Sequence, residues 1–288
     1  MRITSLLAAA VLAASVTTLT ITTTAGAAHA DPGDIVVVTD QSATNSVSAK
    51  GVFITCPSGT HVLGGGGYVW NGSRRVHIAS NTPVDGGVNW TQWWVGAAEI
   101  RPNDYTGSWR VHGYAICGPW LAGLEYVVEQ SLENSNSTRH AHVECPGTKK
   151  LLSAGGEIWD EAEHVVLDDI FISSDLKSVD VWGIERGAGT AFSWSVVAYG
   201  VCVNNNAVTN LHRVQATSAS NLNDKTQVAD CDDQQVYGIG MSQALAAGHT
   251  LLQSIVPSDD DGSVTIKHDP DGAPDPWSVS TQLVCGDE

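Results

Sequence analysis

Four groups of residues in this 288-residue sequence have the types and spacing that chemistry uses. The first is an acidic stretch, Glu157, Asp160, Glu161 and Glu163 with His164, which could hold a cation or a basic partner. Paired carboxylates are also what a glycosidase needs. The second is Asp259-Asp260-Asp261-Gly262 with Asp269, Asp271 and Asp275 further on. Carboxylates in glycine-containing loops suit calcium, which takes six to eight oxygens. Neither loop has the distal glutamate of an EF-hand, and Asp-Gly and Asp-Pro are also ordinary turn formers. Calcium is therefore the one cofactor considered; otherwise none is expected. The third group is Trp90, Trp93 and Trp94. On a strand Trp90 and Trp94 share a face and Trp93 takes the other, so at least one indole is available to stack on a sugar or an aromatic ring. The fourth is Arg74 and Arg75, in the loop Asn71-Gly72-Ser73-Arg74-Arg75.

Nucleophile motifs are missing. The sequence has neither G-x-S-x-G nor H-E-x-x-H. Ser174-Asp175-Leu176-Lys177 fits S-x-x-K, but its companion motifs S-D-N and K-T-G are absent. Gly64 to Gly67 are not followed by the G-K-[ST] of a phosphate loop, and glycines inside a strand more simply admit a bulge or a close backbone approach. No catalytic residue is assigned, and a non-enzymatic role is favoured over an enzymatic one.

The elements that must position these groups repeat three times. Trp109-Arg110-Val111 leads to Cys117, Trp194-Ser195-Val196 to Cys202, and Trp277-Ser278-Val279 to Cys285, always at the same even spacing. Even spacing puts Trp, Val and Cys on one face of a strand. Upstream, Cys56-Pro57 runs into Gly64 to Gly67 and then Trp70, and Cys145-Pro146 runs into Gly155-Gly156 and then Trp159. Cys231 keeps only Gly238 and Gly240. The repeats span 34–118, 125–203 and 211–286, the last being the most diverged. Each offers five or six short β-type runs between Gly, Asn, Asp and Pro, and Met241 to Gly248 is the one stretch of helical composition. The expected class is all-β: three tandem pseudo-equivalent β-sheet repeats, pseudo-threefold and prism- or sandwich-like.

Six cysteines allow fifteen connectivities, and the repeat selects one. Each copy has one pair at equivalent positions, which predicts Cys56–Cys117, Cys145–Cys202 and Cys231–Cys285. Trp109, Trp194 and Trp277 are expected in the core beside these bridges, over the glycine strands.

Residues 1–30 read as a signal peptide: Arg2, an apolar run from Leu6 to Val16, and the A-x-A site Ala28-His29-Ala30. That implies a secreted, extracellular protein in which disulfides persist. Nothing after the leader is long and apolar enough for membrane insertion. A formal charge of −17 repels nucleic acid phosphates, so no nucleic-acid partner is expected.

The segments Cys56-Pro57-Ser58-Gly59, Leu63-Gly64-Gly65-Gly66 and Trp109…Tyr114-Ala115-Ile116-Cys117 together resemble a module of uncharacterised secreted bacterial repeat proteins. The second copy keeps most of it, whereas the third has Asp232 in place of the proline. The resemblance implies extracytoplasmic β modules and transfers no catalytic residue. Features present in one copy only are free to specialise, which singles out the loop after Trp70 and Trp159: basic in copy one, acidic in copy two. The expected function is binding of a cell-surface glycan or an extracellular protein partner. The alternatives are an adaptor subunit of a secreted toxin or surface assembly, and a carboxylate-dependent hydrolase.

Overall fold

The computed structural model describes residues 34–85, 90–102, 105–246 and 248–287. The leader lies outside them. Among the described residues there is no helix long and apolar enough to cross a membrane, and every named element is a strand. The first copy supplies β1 (Val36–Gln41), β2 (Ala49–Thr55), β3 (His61–Trp70), β4 (Val76–Val84), β5 (Gln92–Glu99) and β6 (Arg110–Gly118). The second supplies β7 (Glu125–Gln130), β8 (Thr138–Glu144), β9 (Lys150–Trp159), β10 (Val165–Ile172), β11 (Ser178–Glu185) and β12 (Ser195–Val203). The third supplies β13 (Thr209–Thr217), β14 (Lys225–Asp230), β15 (Gln235–Ala244), β16 (Thr250–Pro257), β17 (Asp261–His268) and β18 (Ser278–Asp287). The stretch of helical composition at Met241 thus begins inside a strand, because it continues a run buried on both faces, and such packing outweighs intrinsic propensity.

These strands build three six-stranded sheets, each shared by two copies: β1-β6-β3-β16-β17-β14, β2-β5-β4-β9-β12-β7 and β13-β18-β15-β10-β11-β8. Every copy therefore splits three and three between two sheets, and buried side chains of all three copies join in one continuous core. The copies are joined where β3 meets β16, β4 meets β9 and β10 meets β15. Glycine makes that junction. A Cβ on Gly66, Gly155 or Gly240 would sit 2.0, 2.6 or 2.5 Å from the carbonyl oxygen of Ile255, Asn81 or Ile170 in the neighbouring copy. No side chain fits so close an approach, which accounts for a glycine at this position in all three copies.

Inside each copy one disulfide ties the two half-sheets together, as the repeat spacing predicts: Cys56–Cys117, Cys145–Cys202 and Cys231–Cys285, with Cα–Cα distances of 5.6, 5.7 and 5.7 Å. Trp109, Trp194 and Trp277 are fully buried. What covers them differs from expectation: the indole packed on the glycine strand is Trp93, 2.6 Å from where a Cβ on Gly65 would lie. The repeated indoles lie instead under a basic side chain, Lys50 over Trp109 at 4.0 Å, Arg139 over Trp194 at 5.4 Å and Lys225 over Trp277 at 4.4 Å. The indole N–H donates to Glu99 in copy one and Glu185 in copy two, whereas Trp277 Nε1 has no hydrogen-bond partner among the described residues. Asn45, Asn134 and Asn221 close each device with a backbone bridge to the same tryptophans.

Equivalent bulges in β4, β10 and β16 present Ala79, Asp168 and Gln253. Asp168 Oδ1 is buried without a partner, and burial, reinforced by neighbouring Asp169, pushes its pKa up to about 7. Asp169 is raised to about 6, mainly by burial. On β4 of copy one His77 is fully buried, its Nε2 2.7 Å from the Ala162 carbonyl, and burial depresses its pKa to about 4. The two effects oppose each other. The unfolded carboxylate loses its proton near pH 3.8 and the folded one near 7, so Asp168 destabilises progressively as pH rises through that window. An unfolded histidine gains its proton below its model value of 6.5, which the folded one resists until about 4, so His77 destabilises as pH falls. Asp168→Asn is expected to raise stability at neutral pH. It should also make stability fall more steeply than in the parent protein between pH 7 and 5, because one of the two carboxylate effects that oppose the histidine is gone. Urea unfolding at a series of pH values checks this, and parallel curves would contradict it.

Candidate functional site

The outward faces of the three composite sheets are where the copies differ most. On β2-β5-β4-β9-β12-β7, copies one and two together build a groove around Trp94. Strand alternation sends Trp93 and Val95 into the core and Trp94 outward, where it packs on Phe53 with ring centroids 4.3 Å apart and planes tilted by 39°. Phe53 is 50 % exposed. Two depressions of about 380 and 360 Å³ flank Trp94, and Glu157 of copy two lines both.

The Glu157 carboxylate is held from three sides. Ser80 Oγ donates to Oε1 at 3.1 Å, and Trp159 Nε1 and Tyr199 Oη donate to Oε2 at 3.0 and 3.1 Å. Burial and the adjacent carboxylate push the Tyr199 phenol up, so it remains a protonated donor. Trp159 itself is 49 % exposed. The result is a fixed carboxylate among four aromatic side chains, with remaining lone pairs free to accept from a ligand.

Of the sequence candidates, Trp94 and Glu157 are thus brought together across the copy boundary. Trp90 lines the second depression and stacks on Tyr126 of copy two at 4.5 Å. Trp93 is a core residue, 0 % exposed, its Nε1 donating to Asn81 at 2.7 Å.

The two hairpin tips share a backbone, Asn71 and Asp160 both at φ 61°, and differ in what they grip. Arg74 donates to Asp224 at 2.8 Å and contacts His268, tying copy one to copy three. Arg75 N donates to the Gly72 carbonyl within the turn. In copy two Glu163 pairs with Arg101 of copy one at 2.5 Å, while Glu161 accepts from His164 at 3.0 Å and Thr190 at 2.8 Å. With Asp160 and the exposed Phe192 they line a separate depression of about 420 Å³. These loops act as ties between copies as well as surface.

The aspartates of copy three fall at opposite ends of β17. Asp259 and Asp260 line a polar depression with Asp233 and Asp287, and Asp261 opens the strand. Asp269 is buried beyond the other end, its Oδ2 2.6 Å from Arg186 of copy two and its Oδ1 accepting from the Asp271 N–H. Asp275 is exposed in the same loop.

Sequence reasoning passed over Trp159, Tyr199, Ser80 and Phe53. Trp159 and Trp70 recur between copies, which suggested a structural role, yet both are exposed, at 49 % and 44 %. The overlooked signal was the even spacing from Glu157 to Trp159, which places both on one strand face.

Compared with known proteins, the chain matches no established family and no curated protein.

Proposed function

We propose that the protein is a secreted, non-enzymatic binding module that recognises a neutral cell-surface saccharide in the groove around Trp94 and Glu157. One observation carries this reading: a carboxylate fixed by Ser80, Trp159 and Tyr199 beside the Trp94–Phe53 pair. Aromatic faces accept the apolar face of a sugar ring, and a fixed carboxylate accepts hydrogen bonds from its hydroxyls. The formal charge of −17 opposes sulfated and sialylated chains, which is why the ligand is taken as neutral. Secretion is supported by the leader-like residues 1–30 and by three disulfides, which persist in an oxidising compartment.

A glycan array followed by titration of the strongest hit tests it. Trp94→Ala and Glu157→Gln should each weaken binding by about tenfold or more, corresponding to roughly 1.4 kcal/mol, with little change in thermal stability. Unchanged affinity in both variants, or no saccharide retained on the array, would remove the proposal.

A second reading, an adaptor in a secreted assembly, is favoured by a different observation. Each sheet ends in unpaired strands, and Val128 on β7 and Val228 on β14 are exposed there. Such edges can accept a strand from a partner. The Val-rich start at Val36 is itself engaged, since β1 pairs with β6. Recovery of a stoichiometric partner from culture supernatant would favour the adaptor. A hydrolase would need two carboxylates facing each other across a cleft; Glu161 and Glu163 face His164 and Arg101 instead.

A further inference from the structure

On the third composite face, at the edge pair of strands β11 and β8 of copy two, two histidines and an aspartate converge. His140 and His142 alternate outward on the edge strand β8, and Asp180 stands on β11 directly opposite His142. His140 Nε2 lies 2.7 Å and His142 Nδ1 2.8 Å from the same oxygen, Asp180 Oδ1. One ligand atom from each residue falls within 4.8 Å of the other two.

The surroundings fix both rings. His140 lies flat on Trp182, with centroids 4.2 Å apart and planes within 16°. The second nitrogen of His142, Nε2, faces Glu144 Oε1 at 3.3 Å. Metal-binding histidines characteristically donate their other ring N–H to a carboxylate, which sets the tautomer and raises the ligand's basicity. Here that turns Nδ1 of His142 toward Asp180 Oδ1, the side on which a shared cation would sit.

We propose that His140 Nε2, His142 Nδ1 and Asp180 form a surface site for a divalent transition cation of the zinc type, with Glu144 orienting His142. Two imidazoles and a carboxylate suit zinc and its neighbours, whereas calcium and magnesium prefer oxygen ligands alone. Bond lengths of about 2.0–2.2 Å in tetrahedral geometry put ligand atoms about 3.4 Å apart, so each histidine nitrogen, now 2.7 or 2.8 Å from Asp180 Oδ1, must move away by more than half an ångström. Half-exposed side chains on neighbouring strands can make that adjustment. Three protein ligands leave a fourth position open to water or to a donor from a partner.

The site belongs to copy two alone. Equivalent positions hold Gly51, Phe53 and Trp94 in copy one and Thr226, Val228 and Ser263 in copy three. One scaffold position thus presents an aromatic pair in one copy and a cation site in the next. The inference stands apart from the saccharide groove and shares no residue with it.

Equilibrium dialysis of tag-free protein against zinc chloride tests it, with bound metal measured by atomic absorption. The parent protein should retain one zinc per chain and give no retention of calcium. His140→Ala, His142→Ala and Asp180→Asn should each abolish that retention, and Glu144→Gln should weaken it by about tenfold. His212→Ala, at a distant exposed histidine, should leave it unchanged. His140 and His142 are exposed and Asp180 is partly exposed, so equal melting temperatures of the three ligand variants are expected and confirm that the fold is intact. Retention of zinc by a His140→Ala/His142→Ala double variant, or none by the parent protein at about 100 µM, roughly a hundred times the free zinc needed by a micromolar site, would overturn the proposal.

Discussion

Replacing Trp194 by alanine should destabilise the protein by about 3–5 kcal/mol, the cost of emptying a buried aromatic site. The indole is fully buried, with Arg139 over one face. Gly183 lies so close to it that a Cβ there would sit 2.9 Å from the ring. Its N–H donates to Glu185 at 2.9 Å. The copies supply an internal control. Phenylalanine at Trp194 leaves the Glu185 carboxylate without its donor, whereas Trp277 has no such partner to lose. Trp277→Phe should therefore be better tolerated than Trp194→Phe. Urea unfolding measures both; a loss below about 1 kcal/mol for Trp194→Ala, an ordinary value for an unremarkable position, would mean the repeated indole is not a core element.

A comparable loss is expected from Arg186→Ala. Arg186 leaves the end of β11 in copy two and meets Asp269, just past β17 in copy three, at 2.6 Å. Their side chains are 8 % and 2 % exposed. Removing the guanidinium strands a buried carboxylate, which typically costs about 3–5 kcal/mol. Replacing both partners, Arg186→Met with Asp269→Leu, should recover most of that loss, since a buried ion pair and an apolar pair of similar volume are often close in stability. The same unfolding experiment decides. If the double variant is no better than the single one, the pair contributes through packing or contacts other than the charge.

The fold was legible in the sequence because repetition and alternation are both written into it. The cysteine pairs and the Trp-x-Val strands gave connectivity and core faces directly, and shared glycines marked a close approach. Their meaning as junctions was not legible. The carbonyl that excludes a side chain at Gly66 belongs to Ile255, more than two repeat lengths away in sequence, and no local pattern encodes that neighbour. For the same reason the candidate site was half visible. Trp94 and Glu157 each stood out within one copy, but the sheet joining them forms only when β4 pairs with β9. Tyr199 and Ser80 carry no signal until that pairing exists. The basic residue at a constant distance before each first cysteine, Lys50, Arg139 and Lys225, was readable by spacing alone and marks the indole-capping device.

The central claim is that copy-specific residues on the composite face bind while the repeated core does not. Indole N–H resonances test it most directly, since the chain has ten tryptophans distributed between the two roles. With nitrogen-15-labelled tryptophan and single-site assignments, titration with the saccharide selected on the array should shift Trp94 and Trp159. Trp93, Trp109, Trp194 and Trp277, all buried, should stay in place. Shifts confined to the buried four, or to tryptophans remote from Glu157, would contradict the account.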